Sequence, residues 1–258
     1  MDRAREPLPS RVDGLPGLPD AVRAILDAGL PAVGLADLPP PARTALEDHL
    51  RLLFAWNAAI NLTAIRDPEA AARLHLLDSL AAVPLLRARG IDALIDLGSG
   101  GGFPGLPIAI ALPARRALLV DSVAKKARFI ATVASALGLE DRVEAFAGRV
   151  ETLAADRHHR ERWPAVVARA VGGLPELVEL ALPLLAPGGV LVAWKRRPAD
   201  AELAAAGTAL DALGGARPEV VDIGVPGLEE HVLVIVEKVH PTPPGYPRDP
   251  ADRKRRPW

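Results

Sequence analysis

The chain of 258 residues has no cysteine. That excludes a disulfide framework and any thiolate metal site, and it fits a reducing compartment. Lysine is scarce as well, with five among 31 basic residues. Together with the many alanines and prolines this reads as a GC-rich coding bias and carries no functional meaning. A secretory signal is missing: Met1 to Asp20 is broken by prolines and charges and has no apolar core. No apolar run is long and charge-free enough to span a membrane. These absences lead us to expect a soluble, cytoplasmic protein. Excess charge is absent too. A net charge of −1 argues against a generic nucleic-acid coat, which is usually strongly basic. It leaves room for an enzyme that grips RNA through a local patch.

What is present is apolar mass. Half of the residues are hydrophobic, enough for one large domain, alone or with a small helical extension. No internal repeat is found. Residues 1–41 form a Pro-rich extension in which a short helix is expected near Asp20–Ala28 and little fixed structure elsewhere. Residues 42–90 form a helical segment. Leu46, Leu50, Leu53 and Ile60 recur along one face, and Asp67-Pro68 reads as an N-cap followed by a first-turn proline. The next helix runs through Leu74, Leu77 and Leu80.

From residue 91 to 240 the pattern changes. Short β-branched runs at Ala93–Leu97, Ala117–Asp121, Val143–Phe146, Ala165–Arg169 and Val190–Trp194 alternate with helical stretches. The last of these stretches before the fifth run is expected over Pro175–Leu185. Such alternation signals a doubly wound α/β sheet, mostly parallel, with helices on both faces. After a helix at Asp200–Leu213 come two more strands, Glu219–Ile223 and His231–Glu237. The link between them is too short for a crossover, so they should be antiparallel. Seven strands are expected, with a basic tail from residue 241 to 258.

The first strand runs into Asp96-Leu97-Gly98-Ser99-Gly100-Gly101-Gly102-Phe103-Pro104-Gly105, and a helix follows. Gly100, Gly102 and Gly105 fit the dinucleotide fingerprint G-x-G-x-x-G, a weak signal by itself. A dinucleotide would place a pyrophosphate at the helix N-terminus, beside the negative charge of Asp96. S-adenosylmethionine has no phosphate and carries sulfonium and ammonium cations, so Asp96 favours the methyl donor. Asp121, at the tip of the second strand, suits the ribose hydroxyls of either ligand. A contact to the adenine is expected just past the third strand, at Gly148-Arg149-Val150-Glu151. The plainer alternative is a structural glycine turn with two aspartates acting as caps.

These residues resemble a known family. The glycine stretch through Leu106-Pro107 is similar to that of the bacterial 16S rRNA guanine-N7 methyltransferases, also known as glucose-inhibited division protein B. Three more blocks are similar: Trp56-Asn57 with Asn61 to Pro68 and His75-x-x-Asp78-Ser79-Leu80; Asp121-Ser122-x-x-Lys125-Lys126-x-Arg128-Phe129; and Arg169-Ala170 with Trp194-Lys195. The blocks span residues 45–238. The family's N-terminal stretch is usually shorter than residues 1–41 and less rich in proline. Its basic tail here also carries Asp249 and Asp252. The resemblance implies methyl transfer from S-adenosylmethionine to N7 of a guanosine in the decoding region of 16S rRNA, as free RNA or in the small subunit. It implies that Gly98 and Phe103 line the methionine side of the donor, that Val150 and Glu151 lie at the adenine, and that Arg169 lies near the methyl group.

N7 of guanine has a free lone pair, so no general base is required, and placement of the nucleophile carries the catalysis. Asp96, with Gly98, Gly100 and Asp121, is expected to hold the donor. Arg169 and Lys195 are expected to orient phosphate or the guanine O6. Lys125, Arg128 and Arg149 either grip RNA phosphates or have plainer roles, Lys125, Lys126 and Arg128 as a solvated helix face and Arg149 as the partner of Glu151 or Glu144. His75 and Asp78 read as a surface hydrogen-bonded pair, and no metal is expected. His158-His159 reads as solvated, and Trp56 and Phe54 as packing. The tail's net +3, from five basic residues against Asp249 and Asp252, suits phosphate or has no role. A monomer is expected. The alternatives are a methyltransferase of the same fold with another substrate, a nicotinamide-dependent oxidoreductase, and a non-enzymatic RNA-binding factor.

Overall fold

The computed structural model describes residues 8–112 and 116–258. Five strands are parallel: β1 (Ala93–Leu97), β2 (Arg116–Asp121), β3 (Val143–Ala147), β4 (Trp163–Arg169) and β5 (Leu185–Arg196). Two more, β6 (Glu219–Asp222) and β7 (His231–Glu237), close the sheet in the order β3-β2-β1-β4-β5-β7-β6. β7 is antiparallel to both β5 and β6, as the short link between the last two strands requires. Strand order reverses between β1 and β4, so a crevice opens there at the carboxyl ends of the strands.

Alternation along each strand sends side chains to two separate cores. Leu94, Leu119, Val167 and Val192 face one side, while Ile95, Leu118, Val166 and Leu191 face the other. The first core is covered by the N-terminal helices α1 (Asp20–Gly29) and α2 (Pro40–Asn57), by the segment from residue 68 to 88, and by α6 (Gly105–Ala111) and α7 (Ala124–Ala136). The second core is covered by α8 (Val150–Ala155), α9 (Leu174–Ala181) and α10 (Asp200–Leu213). Gly214 ends α10 in the left-handed conformation, at φ +84°, where a residue without Cβ is favoured.

Three local expectations change. From residue 8 onward the N-terminal stretch is packed rather than loose: Val22, Leu26, Leu30, Leu35 and Leu38 are buried in the first core. Trp56 Nε1 donates to the Pro9 carbonyl at 2.7 Å, and Arg51 donates to the carbonyls of Val12, Leu15 and Pro16. Proline removes amide donors, so these carbonyls find side-chain partners instead. Helix α9 stops at Ala181 rather than Leu185, because Pro183 cannot donate to a further turn. The helix expected through Leu80 is divided. α3 (Pro68–Ala71), with Asp67 accepting from the Ala70 N–H, leads into a wider π-helical turn at Ala72–Leu77 and then α4 (Asp78–Leu80). After α5 (Val83–Ala88) the chain enters β1. Inserted π-turns of this kind occur frequently at functional sites, and this one carries His75 toward the crevice.

Candidate active site

A cleft of about 530 Å³ lies at the switch point, within the usual range for ligand sites. The glycine turn, from Gly98 to Gly101, forms one wall together with Phe103. The opposite wall is Leu74, His75 and Asp78 from the π-turn and α4. Arg169, Trp194, Lys195, Arg196 and His231 come from strand ends. The amides of Gly98 and Ser99 donate to the Val120 carbonyl, at 2.9 and 3.0 Å, which ties the turn to β2. Gly98 sits at φ +71°, and a Cβ there would come within 2.6 Å of Val171 Cγ2. Glycine is therefore required on both conformational and steric grounds.

Two aspartates shape this wall from below. Asp121 accepts from the Gly100 amide through Oδ2 at 2.9 Å and from the Val123 amide through Oδ1 at 2.8 Å. Asp96 is fully buried; its Oδ2 accepts from the Gly105 amide at 2.9 Å, and its Oδ1 has no partner among the described residues. Burial pushes the Asp96 carboxyl up to about 7, against the downward pull of Ser99, Gly105 and Arg169. Both aspartates thus do the structural work of the plainer reading as well. A buried acceptor with an unmet bond is nevertheless a site of unsatisfied demand. Asp96 lies beneath the turn and does not itself line the cleft; its carboxyl suits the cationic, phosphate-free S-adenosylmethionine better than a pyrophosphate.

The opposite wall is a closed polar network. Arg169 Nη1 donates to Asp78 Oδ2 at 2.8 Å and to the Leu74 carbonyl at 2.9 Å. His231 Nδ1 donates to Asp78 Oδ1 at 2.8 Å, and Trp194 Nε1 donates to the Asp78 carbonyl. Arg169 Nη2 lies 3.2 Å from His75 Nδ1. A guanidinium only donates, so Nδ1 accepts and Nε2 carries the proton. Nε2 then donates to Thr63 Oγ1, 2.8 Å away. Burial and the adjacent Arg169 lower the His75 imidazole to about 3, which keeps it neutral. His75 and Asp78 are thus no surface pair, since Asp78 is 1% exposed. The phenyl ring of Phe103 is stacked between His75 and His49, with centroids 4.4 and 4.5 Å away. The Arg169 guanidinium also lies over this ring, 5.3 Å from its centroid. His49, buried and lowered to about 4 chiefly by burial, donates to the Gly101 carbonyl at 2.8 Å.

The remaining expected residues are dispersed. Lys195 is in the cleft, held by Glu202 at 2.6 Å and by the Gly172 carbonyl. Val150 and Glu151 open α8 just beyond β3, next to Asp121, and none of the three lines the cleft. Glu151 accepts from Arg253 at 2.5 Å. Lys125, Arg128 and Arg149 are exposed around that end. Arg149 pairs with neither expected partner, because Glu144 is taken by Arg116 and Glu151 by Arg253. Arg128 lies over the Trp56 ring at 5.6 Å, and Trp56 itself is buried packing. His159 stacks on Trp163 rather than standing free in water. Sequence reasoning missed His49, Arg196 and His231, and no local signal marks them. Among the described residues no helix is long and apolar enough to cross a membrane.

Comparison with known proteins agrees with this arrangement. The family profile described as GidB, rRNA small subunit methyltransferase G, matches residues 42–231. A ribosomal RNA small subunit methyltransferase G from Roseiflexus sp. is 43% identical over 205 residues, covering 80% of this chain and 87% of its own. The protein of that name from Deinococcus deserti is 42% identical over 231 residues, covering 89% of this chain and 93% of its own. Among solved structures, an O-methyltransferase from Bacillus cereus in complex with SAH superposes with a TM-score of 0.53. It shares 18% identity and covers 84% of this chain and 100% of that one, a likeness of fold alone. With the profile matching residues 42–231, which include every residue lining the cleft, and relatives of 42–43% identity covering most of both chains, the chain belongs to the GidB family of rRNA small subunit methyltransferase G.

Proposed function

We infer that the protein transfers a methyl group from S-adenosylmethionine to N7 of a guanosine in the decoding region of 16S rRNA. The observation that carries this reading is the state of the acceptors around Arg169. Asp78 and the neutral His75 are both already accepting hydrogen bonds from inside the wall. Such a wall is built to hold groups still, and guanine N7 has no proton to lose. The bound donor supplies an electrophilic methyl on a sulfonium.

The chain's own residues divide the remaining work. The Gly98–Gly101 backbone and Phe103 border the donor's methionine half, with Asp96 beneath the turn as its buried countercharge. Asp121 serves the ribose, and Val150 and Glu151 the adenine. Arg169 and Lys195 orient the guanine O6 or a phosphate. Asp78 neutralises Arg169, so a purine gaining positive charge does not meet a bare cation. Lys125, Arg128 and Arg149 hold RNA phosphates at the rim. On this reading a monomer acts on the small subunit or its RNA in the cytoplasm.

The test is transfer of labelled methyl from S-adenosylmethionine to small-subunit particles that lack this modification, followed by digestion to nucleosides. Labelled 7-methylguanosine is expected. Label in another nucleoside, or in protein, would move the reading to a different substrate of the same fold.

A further inference from the structure

The tail is docked rather than free, and its attachment is specific. Glu179 of α9 is fully buried. It accepts from the Arg248 amide, Nε and Nη2, at 2.7, 2.9 and 2.6 Å, and from Trp258 Nε1 at 2.6 Å. Burial pushes this carboxyl up, but the Arg248 bonds outweigh it and hold it below its ordinary value. The Arg248 guanidinium also lies over the Trp258 ring at 4.7 Å. This latch fixes α11 (Pro250–Arg255), a single short helix that would not be stable alone.

Arg253 projects from α11, and its side chain is only 9% exposed. Nη1 donates to the Arg248 carbonyl, and Nη2 donates to Glu151 in the first turn of α8. Nε lies 3.5 Å from Glu176 in the first turn of α9. One guanidinium therefore hydrogen-bonds the helix start that follows β3 and makes a longer ion-pair contact, without a hydrogen bond from Nε, to the one that follows β4. The first of these, Val150-Glu151, stands beside Asp121. The second follows the loop that carries Ala170 and Val171 into the cleft.

We propose that Arg253 is a positioning residue for the methyl donor: delivered by the Arg248–Glu179–Trp258 latch, it fixes the α8 turn against which the adenine rests. This rests on the reading that Val150 and Glu151 receive the adenine. It gives the tail a task distinct from binding phosphate, because its two best-held arginines face carboxylates of the same chain. Lys254, Arg255 and Arg256 remain exposed.

The test is calorimetric titration of the full chain with S-adenosylhomocysteine, with KM for small-subunit particles and the thermal midpoint as companion readouts. Loss of a charge-assisted bond at this turn should weaken S-adenosylhomocysteine about tenfold in Arg253→Gln. Arg253→Lys should recover part of that loss, and the KM for particles should stay near that of the parent. Losses in Arg253→Gln and Glu151→Gln should be less than additive in the double variant, since both report one contact. Unchanged S-adenosylhomocysteine affinity in Arg253→Gln would overturn the proposal, whether the thermal midpoint falls or the KM for particles rises. Fully additive losses would overturn it as well. A parent chain that binds no S-adenosylhomocysteine would bring down the donor reading and this proposal together.

Discussion

Asp96 and Asp78 are both buried carboxylates beside one cleft, and they are treated in opposite ways. Asp78 has each oxygen paired, one with Arg169 and one with His231. Asp96 has one oxygen on the Gly105 amide and the other on nothing among the described residues. A carboxylate whose partners are all internal sets the position of those partners. A carboxylate left short of one bond in a dry site holds its proton and awaits a cation. The wall built on Asp78 is thus closed by its own bonds, whereas the turn above Asp96 keeps one acceptor unmet; on the proposed function the first is the substrate wall and the second the donor wall, to be completed by its ligand.

The largest effect is expected from opening the finished wall. Asp78→Asn keeps the volume but removes the charge facing Arg169. Removing one partner of a buried pair typically costs about 3–5 kcal/mol, so the thermal midpoint should fall. A displaced Arg169 should lower kcat for methyl transfer about a hundredfold or more. S-adenosylhomocysteine affinity, read by calorimetry, should change little. If donor affinity fell in step with kcat, the two walls would not be separate devices.

Next in size is Asp96→Asn, which should weaken donor binding about tenfold through loss of the countercharge. Its pH behaviour is the sharper readout. The folded Asp96 keeps its proton up to about pH 7, against an ordinary value of 3.8. Its contribution to stability is therefore fully present below the ordinary value and is lost as pH rises through 7. A cationic donor favours the ionised form, so donor affinity should rise over the same interval and binding below pH 7 should release a proton. Buffer-dependent binding enthalpies check this, and the asparagine variant should show no such dependence. Equal proton release by both proteins would place the titrating group elsewhere.

The two walls also differ in how far they can be read from the sequence. The donor wall is local. Asp96 to Gly105 spans ten residues between one strand and one helix, and the turn chemistry of glycine is visible in the letters. The alternation of strands and helices was legible for the same reason. The substrate wall is assembled from elements far apart in the chain: Arg169 meets an aspartate 91 positions earlier, and His231 meets the same aspartate 153 positions away. No periodicity records such contacts, so His75-x-x-Asp78 read as an exposed pair. Residues 8–41 misled in another way. Their prolines suggest loose chain, yet their carbonyls are satisfied by Arg51 and Trp56, donors that local propensity does not count.

A smaller perturbation probes how tightly the donor wall is made. Gly98→Ala places a methyl against Val171 and puts a side chain at φ +71°. Strain of this kind costs about 1–3 kcal/mol, visible as a lower thermal midpoint and weaker S-adenosylhomocysteine binding. Adding Val171→Ala should relieve the contact but not the backbone, so recovery should be partial. Full recovery would mean that the dihedral contributes nothing; no recovery would mean that the collision was not the cause.

The smallest effect should come from the rim, outside both walls. Arg149 is exposed, and Glu144 and Glu151 pair with Arg116 and Arg253 instead of with it. A solvated arginine of this kind contributes almost nothing to folding, so Arg149→Ala should leave the thermal midpoint and the S-adenosylhomocysteine affinity where they are. If the side chain meets one RNA phosphate, the slope of log affinity against log salt for RNA should fall by about 1, with the deficit largest at low salt. An unchanged slope would return Arg149 to the class of merely solvated charges. The phosphate grip would then have to come from Lys125 and Arg128, or from the exposed basic end of the tail.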